Sequence, residues 1–471
     1  MKRQTVSLCL IARDEEARIG TALKSVLALV DEVVVVDTGS ADNTRIIAEG
    51  YGSRVVDVPW QDDFAAARNA ALNEATSDWV LVLDADEYLQ PVRPVEFQRL
   101  LHDPAAAGYR LRIVSPREEA GPEGRSQVRL FRNAPQVRYE FPIHEQVAPA
   151  LETWAQGQGL HLFDAQLAVV HEGNEADRRT RSRERALRIL RKAVGTHPDE
   201  AYFPYRLGCE SLVRLDDEVL PVAGLGEALA HLDTAWTRLA RRPAADLRHL
   251  TWAPDLGVRI ASGLLAQVRC ADALRVIGRT RELFPDHPAV LLQTAAVETR
   301  DLQERHGSLP TGEVRRRLES ARADLLRLRA GGAAASVAGM DRRVRDLYPL
   351  RYLGELALLE GKVSEAVSHF EQALELDPAY SCAWLGMAEC SRFAGDRKRA
   401  MKLYLRTVTE SEWNHRAWFR GCDLMVEMGF HDNAASWRRS VVDRFPEHPQ
   451  ARAERAADLV ADRGAPLPVG S

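Results

Sequence analysis

Ser77-Asp78-Trp79-Val80-Leu81-Val82-Leu83-Asp84-Ala85-Asp86-Glu87 holds an unbroken apolar run that stops at three carboxylates. Val80 to Leu83 has the composition of a strand buried on both faces of a parallel sheet, where neither face calls for a polar residue. Open α/β sheets bind their ligands beyond the carboxyl ends of the strands. Asp84, Asp86 and Glu87 therefore stand where such a sheet places its chemistry. Carboxylates at alternate positions suit a hard divalent cation, Mg2+ or Mn2+, and such a cation suits a diphosphate. The same acids also fit a plain acidic turn or helix start, so the surrounding chain has to decide.

Upstream, Val6 to Ala12 reads as a first strand closed by Arg13-Asp14-Glu15-Glu16. Ala17 to Val30 then shows helical spacing through Ile19, Leu23, Val26, Leu27 and Val30. Val33 to Val36 is a second buried strand ending at Asp37, followed by a turn at Thr38-Gly39-Ser40 and a helix start with Asp42 as N-cap. Val55 to Val58 is a third strand and Phe64 to Ala75 a helix. Strands alternating with helices of this length predict a mostly parallel, Rossmann-like α/β sheet. Each strand end carries polar groups: Asp14, then Asp37, then Trp60 with Asp62 and Asp63, then Asp84 and Asp86. Four in succession predict one ligand laid across the top edge of the sheet.

These residues carry a resemblance. Leu8 to Glu16, Val36 to Thr44, Trp60, Asp63-Phe64, Ala67-Arg68-Asn69 and Leu83 to Glu87 match, in order, the family 2 glycosyltransferases of GT-A fold. Arg13-Asp14 stands where relatives tend to show Lys-Asn. The resemblance implies that the first strand end (Ala12, Arg13, Glu15) and the turn at Asp37 and Gly39 hold the base and ribose of a nucleotide-sugar. It also implies that Asp84, Ala85 and Asp86 meet the ribose and a diphosphate-bound Mn2+ or Mg2+. UDP-sugars are the commonest donors in that family. Arg68 is placed either near the phosphates or in a helix-surface ion pair, and Trp60 and Phe64 either in the core or against a sugar.

Glycosyl transfer also needs a base within reach of the attacking atom. Tyr109 to Val114 and Gln127 to Phe131 alternate like strands. Arg129-Leu130-Phe131-Arg132-Asn133 followed by Ile143-His144-Glu145-Gln146-Val147 resembles a subgroup of the same family, except that Phe141-Pro142 replaces a Gly before the His. By position Glu145 is expected as the base, with His144 orienting substrate; the plain alternative is two polar groups at a strand end. His171 follows a further largely apolar run, Ala165 to Val170. The resemblance offers it as a late metal ligand beside Asp84 and Asp86, against a structural His at a strand end.

At 471 residues the chain is too long for one ordinary core. Hydrophobic content of 45% and charged content of 28% describe a soluble globular protein. With 63 basic against 68 acidic residues there is no electrostatic case for nucleic acid. The longest apolar runs are broken by charges, so no transmembrane segment is expected, and no signal peptide is read at the start. The six cysteines form no Cys-x-x-Cys pair and read as reduced, buried thiols of a cytoplasmic protein.

Composition changes after Asn174, with an arginine-rich stretch from Arg178 to Lys192 that suits a solvated helix face or guidance of an acidic acceptor or lipid. Near the end a period appears. Gly361, Gly395 and Gly429 recur at 34 residues, as do Ala366, Ala400 and Ala434, and Trp384 and Trp418. Phe370 and Tyr404 follow the small Ala at a fixed offset. This resembles about three tetratricopeptide repeats in residues 347 to 448. Ala186, Leu190, Ala193 and Pro198, and Ala273 with Pro285, echo the offsets, while 300 to 345 fits them poorly and 330 to 335 reads as a loop. The expected organisation is a GT-A domain over 1–175, an all-α repeat solenoid over 176–463 and a disordered tail over 464–471. The repeats suit capture of a peptide or protein acceptor, or self-association into a homo-oligomer.

The reading is a metal-dependent, inverting glycosyltransferase, hexosyltransferase-like, acting on a peptide, protein or cell-surface glycan. The alternative is a non-catalytic repeat scaffold carrying a degenerate transferase domain. A nucleotidyltransferase would show a Gly-rich basic loop near the first strand, where this chain has Arg13-Asp14-Glu15-Glu16.

Overall fold

The computed structural model describes residues 3–114, 125–172, 176–215, 217–247, 250–331 and 343–464. Contacts divide the chain into two compact units, Met1–Thr196 and His197–Ser471. The helix that follows residue 175 groups with the first unit.

In the first unit the elements run β1 (Val6–Ala12), α1 (Ile19–Val26), β2 (Glu32–Asp37), α2 (Thr44–Gly50), β3 (Arg54–Asp57), α3 (Phe64–Glu74) and β4 (Trp79–Asp84). Then come β5 (Glu87–Leu89), α4 (Pro94–Leu101), β6 (Ala106–Val114), β7 (Arg125–Arg132), α5 (Ala148–Gln158), β8 (His161–His171) and α6 (Ala176–Thr196). The eight strands form one sheet in the order β3-β2-β1-β4-β7-β6-β8-β5. β3, β2, β1 and β4 are mutually parallel. β7 joins β4 and β6 antiparallel, β8 pairs parallel with β6, and β5 pairs antiparallel with β8.

The sheet is covered on both faces. Val6, Leu8 and Leu10 of β1 and Leu81 and Leu83 of β4 pack with Ile19, Leu23 and Val26 of α1. Cys9, Val34, Val36, Val80 and Val82 point the other way, against Ala67, Ala71 and Leu72 of α3. Two covered faces explain why β4 is apolar at every position from Trp79 to Leu83 rather than at alternate ones. Parallel pairing then fixes the top edge: Ala12 lies opposite Asp37, and Ile11 opposite Asp84.

The strand expectations hold to within a residue or two for β1 to β4. α1 is shorter than the periodicity predicts, because the chain turns at both ends. Arg18 and Leu29 amides close onto the Glu15 and Val26 carbonyls, at 3.0 and 2.8 Å. Asp42 does accept from the Thr44 amide at 2.9 Å, while Asn43 occupies the cap position of α2.

Among the described residues the second unit is helical apart from a small hairpin, β9 (Arg214–Leu215) with β10 (Glu218–Val219), which composition did not suggest. Three helix pairs carry the period: Tyr348–Leu359 with Val363–Leu376, Ser381–Phe393 with Arg397–Glu410, and His415–Glu427 with His431–Arg444. Gly361, Gly395 and Gly429 lie between the two helices of each pair at φ +74°, +80° and +82°, where a Cβ would be strained. Ala366, Ala400 and Ala434 are buried at the close approach, and Phe370 and Tyr404 fill the gap beside them. Residues 300 to 345 break the period because Pro288–Arg305 and Thr311–Arg329 are long helices of 18 and 19 residues. Of the expected loop over 330–335, Ala330 and Gly331 form a turn and the rest lies outside the described residues, as do 465–471 of the tail. All six cysteines are free, five buried and Cys209 half-buried. Among the described residues no helix is long and apolar enough to cross a membrane.

Gly386 faces the Phe370 ring so closely that an added Cβ would overlap it, and a Cβ at Gly354 would come within 2.7 Å of the same ring. Gly386→Ala should therefore destabilise the helical unit by about 1–3 kcal/mol through overpacking. In a calorimetric scan its transition should fall while that of the sheet unit stays put; no shift in either would contradict the packing described.

Candidate active site

The loops after β1 and β2 are laced together. The Asp14 amide donates to Ser40 Oγ at 3.0 Å and Asp14 Oδ1 accepts from the Ala41 amide at 2.8 Å. Glu15 and Glu16 amides donate to Thr44 Oγ1 and Asp42 Oδ2. Asp37 Oδ1 accepts from the Gly39 amide (3.1 Å), the Ser40 amide (2.9 Å) and Ser40 Oγ (2.8 Å), with Gly39 at φ +100° completing the turn. Ala12 gives its carbonyl to Thr38. Asp37, Gly39 and Ala12 thus build a rigid rim beside the end of β1. Arg13 lies exposed above it, 3.8 Å from Asp14.

The centre of the edge is a chain of charges. Arg68 of α3 is 8% exposed. Its Nη2 donates to Asp84 Oδ1 and its Nε to Glu145 Oε1, both at 2.7 Å. Arg68 is therefore a buried bridge between two carboxylates, not a helix-surface ion pair. Its Cζ also lies 5.4 Å from the centre of the Tyr139 ring. Arg129 of β7 reaches Asp84 Oδ2 at 3.4 Å and Glu87 Oε1 at 2.7 Å, and Glu87 Oε2 accepts from the Asp84 amide. The two arginines hold the Asp84 carboxyl far below its usual range against the opposing effect of burial. Burial pushes Glu87 up, reinforced by Asp84.

Asp86 faces away from these arginines. Its Oδ1 lies 3.6 Å from His171 Nδ1 and its Oδ2 lies 3.7 Å from Arg18 Nη1. β5 brings His171 there by pairing it with Glu87. Burial raises the Asp86 carboxyl. Glu15, 3.8 Å from Arg18, is raised to about 7, first by burial, with Asp86, Asp42 and Asp14 adding and Arg18 opposing. Ala85 between the two aspartates is buried and supplies backbone only.

Glu145 and His144 sit in a tight loop closed by reciprocal backbone bonds between Glu140 and Gln146, at 2.9 and 3.0 Å. Asn69 grips the same segment, exchanging 2.8 and 2.9 Å bonds with the Tyr139 backbone, so it is a fastener of this loop. Trp60 and Phe64 are neither core nor bare surface. They meet edge to face at 4.7 Å, half-buried, with Trp60 Nε1 donating to Asp62. α6 clamps that loop: Arg188 donates to Asp62 at 2.7 Å, Lys192 Nζ to the Gln61 carbonyl at 3.3 Å, and Arg185 lies over the Phe64 ring.

Positive φ at non-glycine residues occurs five times among the described residues. Four of these, Asp14, Asp62, Phe141 and His144, lie in the loops around this edge. Backbone strain of this kind clusters at functional sites, where the surrounding structure holds it in place.

The divalent-cation expectation can be tested on the donors. Among the described residues no group of three or more His, Cys, Asp or Glu side chains is gathered as a cation site. Asp86 and His171 approach as two members of a shell would, and a diphosphate and water could complete it. Asp84 does not fit as a ligand here, since both of its oxygens face arginines.

The model of the glycosyl transferase family 2 matches residues 7–147. Those residues form a family 2 glycosyltransferase domain. The tetratricopeptide repeat model matches residues 357–418. A TPR repeat-containing protein of Synechococcus elongatus is 38% identical over 208 residues, covering 43% of this chain and 51% of that protein. A glycosyltransferase of Rickettsia felis is 41% identical over 86 residues, 18% of this chain and 30% of that protein. The chain thus spans about half the length, or less, of these relatives. Among solved structures, glucosyl-3-phosphoglycerate synthase of Mycobacterium tuberculosis is 22% identical with a TM-score of 0.30, covering 40% of this chain and 79% of that one.

Within the glycosyltransferase domain, Tyr139 was not singled out from sequence, and Arg129 was quoted within a motif but given no role. A signal existed for Arg129: it is a charge set between the apolar residues Val128 and Leu130-Phe131, which implies a buried partner.

The raised Glu15 carboxyl makes a pH prediction. The folded chain holds this proton more tightly than the unfolded chain, so the group's contribution to stability is full below about pH 4.5 and is lost as pH rises through about 7. Glu15→Gln should raise the melting temperature at pH 8 and leave it nearly unchanged at pH 5. Equal shifts at both pH values would refute the assignment.

Proposed function

We propose that the first unit transfers a sugar from a nucleotide-sugar, with UDP-sugars the leading donors, to an acceptor nucleophile. The observation that carries this is the Arg68 bridge. One buried guanidinium ties the first aspartate of the Asp-x-Asp pair to the carboxylate expected as base. Carboxylates of the two roles thereby share one site at the strand ends.

In this reading the donor's base and ribose rest on the rim made by Ala12, Arg13, Glu15, Asp37 and Gly39, with Ala85 and Asp84 below the ribose. Asp86 and His171 would hold a divalent cation, which supplies charge neutralisation to the departing diphosphate. Arg68 Nη1 is buried with no hydrogen-bond partner, a donor left for a phosphate oxygen. Glu145 takes the proton of the acceptor nucleophile as that atom bonds to the anomeric carbon and the bond to the diphosphate oxygen breaks, giving inversion. His144, held at φ +54°, orients the acceptor. Family 2 membership of residues 7–147 and the strained loops support the assignment. The tetratricopeptide repeats support a peptide or protein acceptor, or self-association.

A second reading, a scaffold with an inactive transferase domain, draws on one observation: Asp84 and Glu145 are already neutralised by arginine within the chain. Calorimetry with UDP-, GDP- and dTDP-sugars, with and without Mn2+, separates the two. The transferase reading expects metal-dependent binding of one nucleotide class, lost in Asp86→Ala; no binding of any donor under either condition would leave the scaffold. With a donor in hand, Glu145→Gln should lower kcat by roughly 10^2–10^4 while donor affinity changes less than about twofold. An unchanged kcat would remove Glu145 from the chemistry.

A further inference from the structure

Arg18 stands at the N-cap of α1 and breaks the local rule for that position. N-caps favour Ser, Thr, Asp or Asn, whose side-chain oxygen accepts from the first free amides of the helix. A guanidinium has no acceptor, and Arg18 makes no side-chain cap bond. Its charge also opposes the positive end of the helix dipole. Helix α1 therefore gives no reason for an arginine here, and a local conflict of this kind points to function.

The side chain goes to the sheet edge instead. It is 17% exposed, with Nη1 3.7 Å from Asp86 Oδ2 and Nε 3.8 Å from Glu15 Oε2. Both separations are those of ion pairs and too long for hydrogen bonds. Nη1 is buried and has no hydrogen-bond partner among the described residues. Arg68 is the contrast. It gives Nε and Nη2 to two carboxylates at 2.7 Å and is locked in place. Arg18 is held by charge alone and keeps a buried donor unsatisfied, which calls for an explanation.

Its position supplies one. Asp86 has one neighbour at each oxygen, His171 Nδ1 3.6 Å from Oδ1 and Arg18 Nη1 at Oδ2. In the reading above, Asp86 and His171 receive a divalent cation. A guanidinium 3.7 Å from the same carboxylate is then a like charge beside that cation. It repels a bare divalent ion, and the repulsion grows as water is excluded from the pocket. An ion that arrives with a nucleoside diphosphate belongs to a complex of net negative charge. The same guanidinium attracts that complex, and its unused donor suits a phosphate oxygen.

We propose that Arg18 is a specificity-determining residue of the cation site: it disfavours the bare divalent ion and favours the ion in company with a nucleoside diphosphate. This rests on the transferase reading and names the residue that makes cation and donor bind as a pair. Coupling of this sort is reciprocal, so each ligand strengthens the binding of the other by the same factor.

The test uses the full chain, natural and as Arg18→Gln and Arg18→Lys. Mn2+ is titrated alone and with UDP, GDP or dTDP. Free Mn2+ is read by electron paramagnetic resonance and nucleotide binding by calorimetry. In Arg18→Gln, Mn2+ alone should bind about tenfold tighter, while nucleotide in the presence of Mn2+ should bind about tenfold more weakly. Arg18→Lys keeps the charge and should stay close to the natural chain in both. The opposite signs separate this role from a structural one, which would weaken both. If both weaken, or if Mn2+ affinity does not change, the proposal falls while Mn2+-dependent nucleotide binding by the natural chain still supports the transferase reading. A natural chain that binds no nucleotide ends both. Should Arg18→Gln not fold, the natural chain decides: Mn2+ has to bind at least roughly tenfold tighter beside the nucleotide than alone, and equal affinities overturn the proposal.

Discussion

The sheet edge depends on the guanidinium of Arg68. Asp84 ends a strand that is otherwise fully buried and Glu145 sits in a strained loop, and each is a carboxylate partly withdrawn from water. A buried carboxylate without a partner would protonate or distort its surroundings. One planar cation with several fixed donors can serve both at once, which a lysine ammonium could not do in the same geometry. Arg129 repeats the device one strand away for Asp84 and Glu87. The result is an ordered row of alternating charges. The strained residues Phe141 and His144 persist beside it because that row, the Asn69 grip and the Glu140–Gln146 closure fix the loop from three sides.

Much of this was legible in the chain, and for a physical reason. β1, β2 and β4 are buried on both faces, so their apolar runs have sharp ends and the acids at those ends stand out. The second half of β8 was visible and its first half was not, since His161 to Gln166 is largely exposed and carries no apolar signal. β9–β10 escaped for the same reason at smaller scale: four polar-flanked residues have no period to read. The helical repeats were readable because each glycine at positive φ is required by the turn, whatever surrounds it.

The site was legible in its members and not in its connections. Asp84, Asp86, Glu145, His171, Arg68 and Glu15 were all picked out, and all lie at one edge. Which carboxylate faces which cation was hidden, because Arg68 and Glu145 are 77 residues apart. Such pairings follow from the register of the sheet and the path of a loop, which no local pattern encodes. Asp37 shows the converse. Its place was foreseen, yet Oδ1 is absorbed by its own turn, so its part in the rim is to hold shape as much as to offer a contact.

α6 adds a consequence about the order in which the protein is made. Arg185, Arg188 and Lys192 fasten the loop that carries Trp60, Asp62 and Phe64, yet they leave the ribosome more than a hundred residues after it. N-terminal domains generally fold as units while the chain is still growing. Here the sheet can close once β8 has emerged, but its edge stays unfastened until the helix beyond it has been synthesised. Translation itself thereby delays completion of the edge until the chain has reached the threshold of the helical unit.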